Sequence, residues 1–385
     1  MNLKKITVII IILVISILSI KYLNIQKKKI SYDIQIDRMK AKMLYYYISM
    51  ESGFIDFVDE NLLVLSSRGV LGHTSDLKNE LRFKQITKNI QKFINYDQFS
   101  KNRSFSIKDL LISKNKIFVS YNEEIKEDYW NTSLLIGDMN YDNINFKKLF
   151  SPNECVHTVK NRDREFHPHV AGGRIVKIDN DHVVLTIGSY RSRFLAQDEK
   201  SVNGKLIKIN INTSNYEIIS MGHPNPQGLY YDKENEFLLE TEHGPQGGDE
   251  INLIEINDIN KDKIPNYGWA LASAGEHYGG KIPRNKEKYL KYPLYKSHSK
   301  HSFIKSLKSF VPSIGISEIT KVDNNKYVVS SLKDSSLYFF ELKDRQIIAQ
   351  ERVEVFERVR DLRFKDNKLY LFLETTPSIG IINLE

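Results

Sequence analysis

The sequence predicts an all-β protein, a six-bladed β-propeller preceded by an N-terminal signal-anchor helix. Three observations lead to this expectation: one hairpin pattern occurs six times, the hairpins start at broadly regular intervals, and an apolar segment with basic flanks begins the chain. From these we divide the chain into a signal anchor or transmembrane segment at residues 1–29, a linker at residues 30–51 and the propeller at residues 52–385.

Each hairpin pattern is a β-rich run, a short polar turn and a second β-rich run. The turns contain Asp, Asn, Lys and Glu, and the runs contain the Val, Ile, Leu, Tyr and Phe that strands favour. The patterns begin at Phe54, Asp109, Gly173, Gly228, Glu318 and Asp361, at separations of 55, 64, 55, 90 and 43 residues. Six such units predict six blades, with a long insertion at roughly residues 256–317. A β-sandwich is the alternative, but it does not require six similar hairpins.

The N-terminus has the pattern of a targeting signal. Lys4 and Lys5 precede an unbroken apolar run at residues 6–20, and four lysines follow it. As a helix this run would span about 22 Å at ~1.5 Å per residue, which is short of the ~30 Å hydrocarbon core. Because no small-residue cleavage motif follows, an uncleaved signal anchor is favoured over a secretory signal or a buried core helix. The expected location is the bacterial cytoplasmic membrane, crossed once, with the propeller facing the periplasm or the cell exterior.

Composition excludes two function classes. The net charge of +8 comes mainly from six lysines within the first 30 residues, which leaves only +2 on the rest of the chain. A nearly balanced body argues against a nucleic-acid-binding protein, which needs a clustered basic face. The single cysteine, Cys155, excludes an internal disulfide and a thiol-rich metal site.

The propeller expectation brings distant residues to one rim. The innermost strand of each blade begins near the central channel on one face, so the segments that precede the hairpins meet there, and segments after the second strands reach the same rim. The candidates for one shared pocket are His169, Asn225, His243, Lys333, Arg358 and Arg360. A lactonase on this fold would need several carboxylates in the channel, and the blade-start segments contain few acids.

The segment TEHGPQGGDEINLI at residues 241–254 combines carboxylates with backbone-bending residues. Gly244, Pro245, Gly247 and Gly248 would let the backbone bend so that carbonyl oxygens point at one spot. Calcium takes six to eight oxygen ligands, and the oxygen-rich composition without thiols favours calcium over zinc. The segment therefore indicates either an ordinary acidic turn or a calcium site.

Several segments resemble the soluble aldose sugar dehydrogenases that depend on pyrroloquinoline quinone (PQQ), also called the glucose/sorbosone dehydrogenase family. The segments are GGRIVKIDNDHVVLTIGSY, AQDEKSVNGKLIKIN, GHPNPQGLYY, EHGPQGGDEINLI, NYGWALASAGEHYGG, SLKDSSLY and RVRDLRF. They occur in the family's order over about residues 105–385, and EHGPQGGDEINLI followed by NYGW is the most specific. The resemblance implies a six-bladed propeller, PQQ and calcium as cofactors, a small sugar as substrate and an external electron acceptor.

The resemblance also implies residue roles. The carbonyls of Gly244 and Pro245 would hold the calcium that grips PQQ, whereas Glu250 and the Tyr267 carbonyl would match a structural calcium site. The positions that match PQQ contacts are Asn225, Tyr278, Lys333, Arg358 and Arg360. A Lys–Arg–Arg cluster suits the three carboxylates of PQQ, although ordinary surface charge is the alternative.

The implied reaction is the oxidation of an aldose to its lactone. A histidine takes the proton of the anomeric hydroxyl, hydride passes to a quinone carbon of PQQ, and calcium stabilises the developing oxyanion. His169 best matches the base, with His167 as a rival and a structural role for His169 as a further alternative.

Two positions depart from the family's pattern. Pro224 stands where the family has an arginine on the quinone side of PQQ, and Ile107 stands near an expected glutamine. Losing one preorganised donor can cost roughly 10²–10³ in rate. Arg191 or Arg193 could replace the arginine. The departures motivate an alternative function, a non-catalytic propeller of the same lineage that binds calcium and a glycan or protein partner.

Overall fold

Six antiparallel sheets follow one another along the chain and form the six blades of a propeller. The computed structural model describes residues 30–36, 39–47, 51–77, 82–256 and 263–384. The predicted signal-anchor helix at residues 1–29 lies outside these residues. Within the described part of the chain, no helix has the length and apolar character needed to cross a membrane.

The strands are grouped by blade in chain order. Two strands precede the blades, β1 (Ile30–Ile36) and β2 (Met39–Tyr47). Blade 1 contains β3 (Gly53–Val58), β4 (Asn61–Ser66), β5 (Leu71–Thr74) and β6 (Lys84–Gln85), and β7 (Thr87–Lys88) follows it. Blade 2 contains β8 (Ile107–Ser113), β9 (Lys116–Lys126), β10 (Tyr129–Asp138), β12 (Lys147–Phe150) and β13 (Val156–His157), while β11 (Asn143–Ile144) pairs with β7.

Blades 3 to 5 have four strands each, and blade 6 joins three strands to β1 and β2. Blade 3 contains β14 (Gly172–Lys177), β15 (His182–Ile187), β16 (Lys205–Asn210) and β17 (Tyr216–Met221). Blade 4 contains β18 (Pro226–Asp232), β19 (Phe237–Glu242), β20 (Asp249–Glu255) and β21 (Lys308–Phe310). Blade 5 contains β22 (Ile316–Asp323), β23 (Lys326–Ser331), β24 (Ser336–Lys343) and β25 (Gln346–Glu354). Blade 6 begins with β26 (Val359–Lys365), β27 (Lys368–Leu373) and β28 (Ser378–Asn383).

Helices are few and short within the described residues. They are α1 (Tyr96–Lys101), α2 (Arg193–Gln197) and α3 (Lys286–Lys291), with 3-10 turns at Ile90–Lys92, Pro283–Asn285 and Ser299–His301. Asn95 caps α1, because its side chain accepts a hydrogen bond from the backbone N–H of Gln98 at 2.8 Å.

The six predicted hairpins are the first two strands of the six blades. Each innermost strand begins one or two residues before its predicted start, from Gly53 in blade 1 to Val359 in blade 6. The second strands are buried along almost their whole length, as in β19 and β27, because both faces of a blade pack against its neighbours. The six-bladed architecture predicted from the repeat is confirmed.

The ring closes through the segment predicted as a linker. Within the predicted linker at residues 30–51, the described residues 30–36 and 39–47 form β1 and β2 instead, and β2 pairs antiparallel with β28 of blade 6. Met43 lies opposite Ile382, and both side chains are buried. Joining strands from the two ends of the chain in one blade covers an edge that would otherwise remain open.

The predicted insertion lies within blade 4, between β20 and β21. It is shorter than the expected 256–317, because Lys308–Phe310 already belongs to the blade. Its described part carries Trp269 and Tyr278 to the rim at which the innermost strands begin.

An ion cluster closes the centre of the propeller. The Arg174 guanidinium of blade 3 lies 3.0 Å from Asp109, 2.9 Å from Glu318 and 3.0 Å from Asp361. These acids are the third residues of the innermost strands of blades 2, 5 and 6. All four side chains are buried. The expectation that the blade starts contain few acids is therefore wrong for the axis, where Arg174 and Arg363 offset the acids.

Candidate active site at the blade rim

Two neighbouring cavities lie at the face where the innermost strands begin. The larger has a volume of about 340 Å³ and the smaller about 170 Å³. His169 lines both cavities. The other predicted residues that line one or the other are Asn225, His243, Gly244, Pro245, Tyr278, Arg358 and Arg360. Loop segments from blades 3, 4 and 6 thus converge as the propeller topology predicts.

His169 lies on the loop that leads into β14. Its backbone N–H donates a hydrogen bond to Nδ1 of His167 at 3.2 Å, and the two rings stack with centroids 5.2 Å apart. The loop is held to the next turn by the N–H of Tyr190, which donates to the Val170 carbonyl at 2.7 Å. A neutral imidazole that accepts at Nδ1 carries its hydrogen on Nε2. His167 therefore lacks a free acceptor nitrogen, which favours His169 as the base.

The environment keeps His169 neutral. Burial beside the cavities lowers the pKa of His169 from 6.5 to about 4, and the positive charges of Lys108 and Arg360 act in the same direction. The side chain remains open to the cavity and makes no hydrogen bond with the described residues. A neutral imidazole facing a cavity can accept a proton from a bound ligand.

The smaller cavity is lined by backbone and by buried polar groups. Asn225 connects two blades, because its Oδ1 accepts from the Gly172 N–H at 3.3 Å and its carbonyl accepts from the His243 N–H at 3.0 Å. Gly244 lies so close to Gly248 that an added Cβ would fall 1.7 Å from the Gly248 carbonyl oxygen. Only glycine fits this bend, which places the Gly244 and Pro245 backbone at the cavity wall.

Two unsatisfied polar atoms belong to residues of the same cavity. His243 Nε2 and Trp269 Nε1 are buried without a hydrogen-bond partner among the described residues. Buried polar atoms normally have a hydrogen-bond partner. Two that lack one beside a cavity therefore indicate a position where a bound ligand supplies the partner.

The larger cavity has a basic wall from blade 6. Arg360 donates to Glu374 at 2.7 Å and to Gln227 at 3.2 Å, and Arg358 donates to the Leu332 carbonyl at 3.2 Å. Burial alone would raise the pKa of Glu374, but Arg360, Ser52 and Arg358 lower it to about 2. The carboxylate orients both arginines, whose guanidinium groups line the cavity.

Lys333 lies outside the two cavities, whereas Ile107 and Pro224, which depart from the family's pattern, line them. Lys333 is exposed on blade 5 and is not among the residues that line either cavity. Ile107 lines the larger cavity and Pro224 the smaller, so neither supplies a side-chain donor there.

Arg191 and Arg193, the candidates to replace the arginine that is absent at Pro224, have different surroundings. Arg191 lines the smaller cavity with its guanidinium 5.4 Å from the Tyr278 ring centroid. Arg193 is buried, pairs with Glu165 at 2.9 Å and lies over Trp269, so it has mainly a structural role. Arg191 is therefore the donor available to replace the missing arginine.

Glu250 and Tyr267 lie apart from the cavities, in a buried polar cluster of blade 4. Glu250 faces Glu242 across β19 and β20, and Asn252 faces Glu240. His223 lies against the Tyr267 ring, with centroids 4.9 Å apart, and its Nδ1 is 3.4 Å from a Glu242 oxygen.

This cluster can hold a cation. One side-chain oxygen each of Glu240, Glu242, Glu250 and Asn252 is buried without a hydrogen-bond partner among the described residues. Burial and then neighbouring negative charges raise the pKa of Glu240 and of Glu242, and burial raises that of Glu250 to about 8. The ligand atoms of His223, Glu240 and Glu242 lie within 4.8 Å of one another, close enough to share a cation, and the Glu250 carboxyl faces Glu242 on the next strand. A divalent cation would offset the charges of these carboxyl groups.

Sequence reasoning missed part of the site. The larger cavity is also lined by Arg68, Arg103, Lys108, Gln227 and Glu374. Two of these residues adjoin positions already named from the sequence: Gln227 precedes Gly228, and Lys108 follows Ile107. Arg68 and Glu374 each follow the second strand of a blade, the placement that already identified Lys333. Arg103 has no such signal, because it precedes blade 2 in an irregular loop.

Comparison with known proteins agrees with this geometry. The family model described as glucose/sorbosone dehydrogenase matches residues 107–380. The chain belongs to this family. The matched range contains blades 2 to 5, most of the C-terminal strands of blade 6 and every predicted site residue.

Two curated relatives have sugar or glucose dehydrogenase names. Aldose sugar dehydrogenase YliI from Escherichia coli K12 is 29% identical over 228 residues, which cover 54% of this chain and 58% of that protein. Quinoprotein glucose dehydrogenase B from Acinetobacter calcoaceticus is 31% identical over 137 residues, covering 35% of this chain and 22% of that protein. The chain therefore matches little more than half the length of the first relative and less of the second.

Solved structures share the fold. The apo-form of the E. coli soluble aldose sugar dehydrogenase superposes with a TM-score of 0.67 at 19% identity, covering 89% of this chain and 100% of that one. The PQQ-bound aldose sugar dehydrogenase from Streptomyces coelicolor gives 0.64 at 15% identity, covering 93% and 98%.

Proposed function

We propose that this chain is a sugar dehydrogenase that oxidises an aldose to its lactone with PQQ as hydride acceptor and calcium as its partner ion. The observation that carries the proposal is His169, a neutral histidine that lines both the cavity of Gly244 and Pro245 and the cavity of Arg358 and Arg360. Family membership supports the reaction class. The PQQ-bound state of the S. coelicolor aldose sugar dehydrogenase, which shares the fold, supports PQQ as the cofactor.

The residues around His169 suit PQQ. When bound, PQQ supplies a quinone that accepts two electrons and the hydrogen of the sugar carbon as hydride. Arg358 and Arg360 would pair with its carboxylates, since guanidinium groups bind carboxylates in two-point geometry. Asn225 and Arg191 would donate to its polar edge, and the exposed ring of Tyr278 would cover one of its faces.

Calcium would be held at two places. The carbonyls of Gly244 and Pro245 would face the ion beside the quinone, where it supplies Lewis-acid polarisation. Glu240, Glu242 and Glu250 would hold a structural ion inside blade 4, and their free oxygens support this assignment.

His169 would remove the proton from the anomeric hydroxyl as hydride leaves the same carbon. The proton ends on the imidazole, whose positive neighbours Lys108 and Arg360 favour its later release to solvent. Ile107 and Pro224 contribute shape rather than hydrogen bonds, so the polar contacts to the substrate come from other residues of the larger cavity.

The direct test uses the full chain with added PQQ and Ca²⁺, with and without D-glucose, and follows reduction of an artificial dye. We expect dye reduction that needs sugar, PQQ and Ca²⁺ together. Measurable PQQ binding without turnover of any aldose would instead indicate the non-catalytic alternative, which Ile107 and Pro224 motivate. Absence of both binding and turnover would contradict the proposal.

The blade 4 cluster makes a separate prediction about stability. Ca²⁺ at 100 times its dissociation constant should stabilise the fold by about 2.7 kcal/mol, because an ion that binds only the folded state shifts the equilibrium. Thermal unfolding with Ca²⁺ and with a chelator measures this shift. Glu242→Gln should lower the affinity for Ca²⁺, whereas Glu217→Gln on an exposed strand end should not. An equal response of the two variants would rule out this ion site.

The proposed cellular location rests on the apolar N-terminal segment and its lysines. We propose that residues 1–29 anchor the chain in the cytoplasmic membrane and that the propeller faces the periplasm or exterior. Fractionation of cells that express the full chain should recover it with membranes, and recovery in the soluble fraction would contradict this proposal.

A further inference from the structure

The larger cavity has a second basic wall to which the proposed function assigns no ligand. Arg68 lies in the turn after β4, Arg103 precedes blade 2, and Lys108 lies on β8. This wall stands on blades 1 and 2, whereas Arg358 and Arg360 come from blade 6. The cavity volume of about 340 Å³ is within the ~300–1,000 Å³ range of small-molecule sites.

Among the described residues no acid forms an ion pair with this wall, although Glu51 and Glu374 line the same cavity. The Arg68 guanidinium donates to the carbonyls of Phe105 and Arg103, both at 3.0 Å, and lies 4.8 Å from the Phe99 ring centroid. The Lys108 ammonium donates to the carbonyls of Ser104 at 3.1 Å and Pro168 at 3.3 Å. Carbonyls orient these cations but leave their charge uncompensated.

The surroundings of Lys108 disfavour its charged form, which a bound anion would stabilise. Burial, followed by the positive charges of Arg360 and Arg68, lowers the pKa of Lys108 to about 7. By contrast, Arg174 at the floor of the cavity faces three buried carboxylates, and Arg358 and Arg360 share Glu374. Unlike these arginines, Arg68, Arg103 and Lys108 have no acidic partner within hydrogen-bonding distance among the described residues.

We propose that the sugar substrate carries an anionic group, a carboxylate or a phosphate, which Arg68, Arg103 and Lys108 bind. This inference deepens the proposed function and rests on it for the reaction at the anomeric carbon. The blade 6 arginines remain for the carboxylates of PQQ. The anionic group lies against Lys108, on the side of His169 away from Gly244 and Pro245, and fixes the sugar so that its anomeric hydroxyl meets the imidazole.

The kinetic test compares D-glucose, D-glucuronate and D-glucose 6-phosphate as substrates of the full chain loaded with PQQ and Ca²⁺. We expect kcat/KM to be at least tenfold higher for one of the two anionic sugars than for D-glucose, and the advantage to shrink as salt screens the charges. Whichever of the two anionic sugars has the higher kcat/KM identifies the bound group as a carboxylate or a phosphate.

Variants locate the effect. Arg68→Gln and Lys108→Gln should each reduce the anionic preference about tenfold, and Lys108→Arg should recover part of it. Lys343→Gln removes the same charge from the exposed end of β24 and should leave the preference unchanged. Equal kcat/KM for neutral and anionic sugars would overturn the inference. Loss of PQQ affinity in Arg68→Gln with an unchanged preference would also overturn it, because the wall would then bind the cofactor.

A binding measurement separates this inference from the proposed function. Isothermal titration of the chain without PQQ should show tighter binding of the preferred anionic sugar than of D-glucose, and Arg68→Gln should abolish the difference. If no sugar is oxidised but this difference is found, the oxidation chemistry fails while the anion site stands. If neutral sugars are oxidised and no difference is found, the anion site fails while the chemistry stands.

Discussion

Replacing His169 with Gln should lower kcat/KM for the preferred sugar by about 10²–10⁴, the usual contribution of a positioned general base. The fold should not suffer, because the His169 side chain makes no hydrogen bond with the described residues and opens onto a cavity. Steady-state dye reduction gives the rate, and PQQ titration and thermal unfolding show that the variant still binds cofactor and folds.

The pH profile adds a second readout for His169. The base must be neutral, so kcat/KM should fall as pH drops through the lowered pKa of about 4 rather than through 6.5. Lys108→Gln removes a positive neighbour and should move this acid limb to higher pH. His182→Gln, at the opposite end of the same hairpin, serves as the control and should match the wild type. Full activity in His169→Gln would assign the proton to another group.

Replacing Arg174 with Met should lower the free energy of unfolding by about 3–5 kcal/mol, because it leaves buried carboxylates without their cation. Arg174 also holds the rim, since its Nη2 donates to the Arg360 carbonyl at 2.9 Å and its Nε donates to the Gln227 carbonyl. The variant should therefore weaken PQQ binding as well as stability. Urea unfolding and PQQ titration measure the two effects.

Two further variants show whether charge or geometry matters at the axis. Arg174→Lys keeps the charge but cannot reach three carboxylates at once, so its loss should be intermediate. Arg352 forms a surface pair with Asp334 at 2.7 Å, and Arg352→Met should cost less than about 1 kcal/mol. Equal losses for Arg174→Met and Arg352→Met would mean that the axial cluster contributes no more than a surface pair.

Only part of the site was predictable, because the repeat shows which segments meet at the rim but not which side chains contact one another. Residues at blade starts could be grouped from the repeat, which brought His169, Asn225 and Arg360 together in advance. Lys108 and Arg68 were missed because an uncompensated charge becomes visible only when the neighbours of each cation are known. Lys333 was grouped with the pocket on the same reasoning, yet its side chain is exposed and not among the residues lining either cavity.

Local sequence patterns predicted the blade count, the strand pairs of each hairpin and the segments that meet at the rim, because alternation and turn chemistry are local properties. Three features are visible only in the folded chain: the closure of blade 6 by β1 and β2, the Arg174 cluster at the axis and the charged wall of the larger cavity. Each depends on contacts between residues far apart in the chain, whose partners are set by packing in three dimensions rather than by any local pattern.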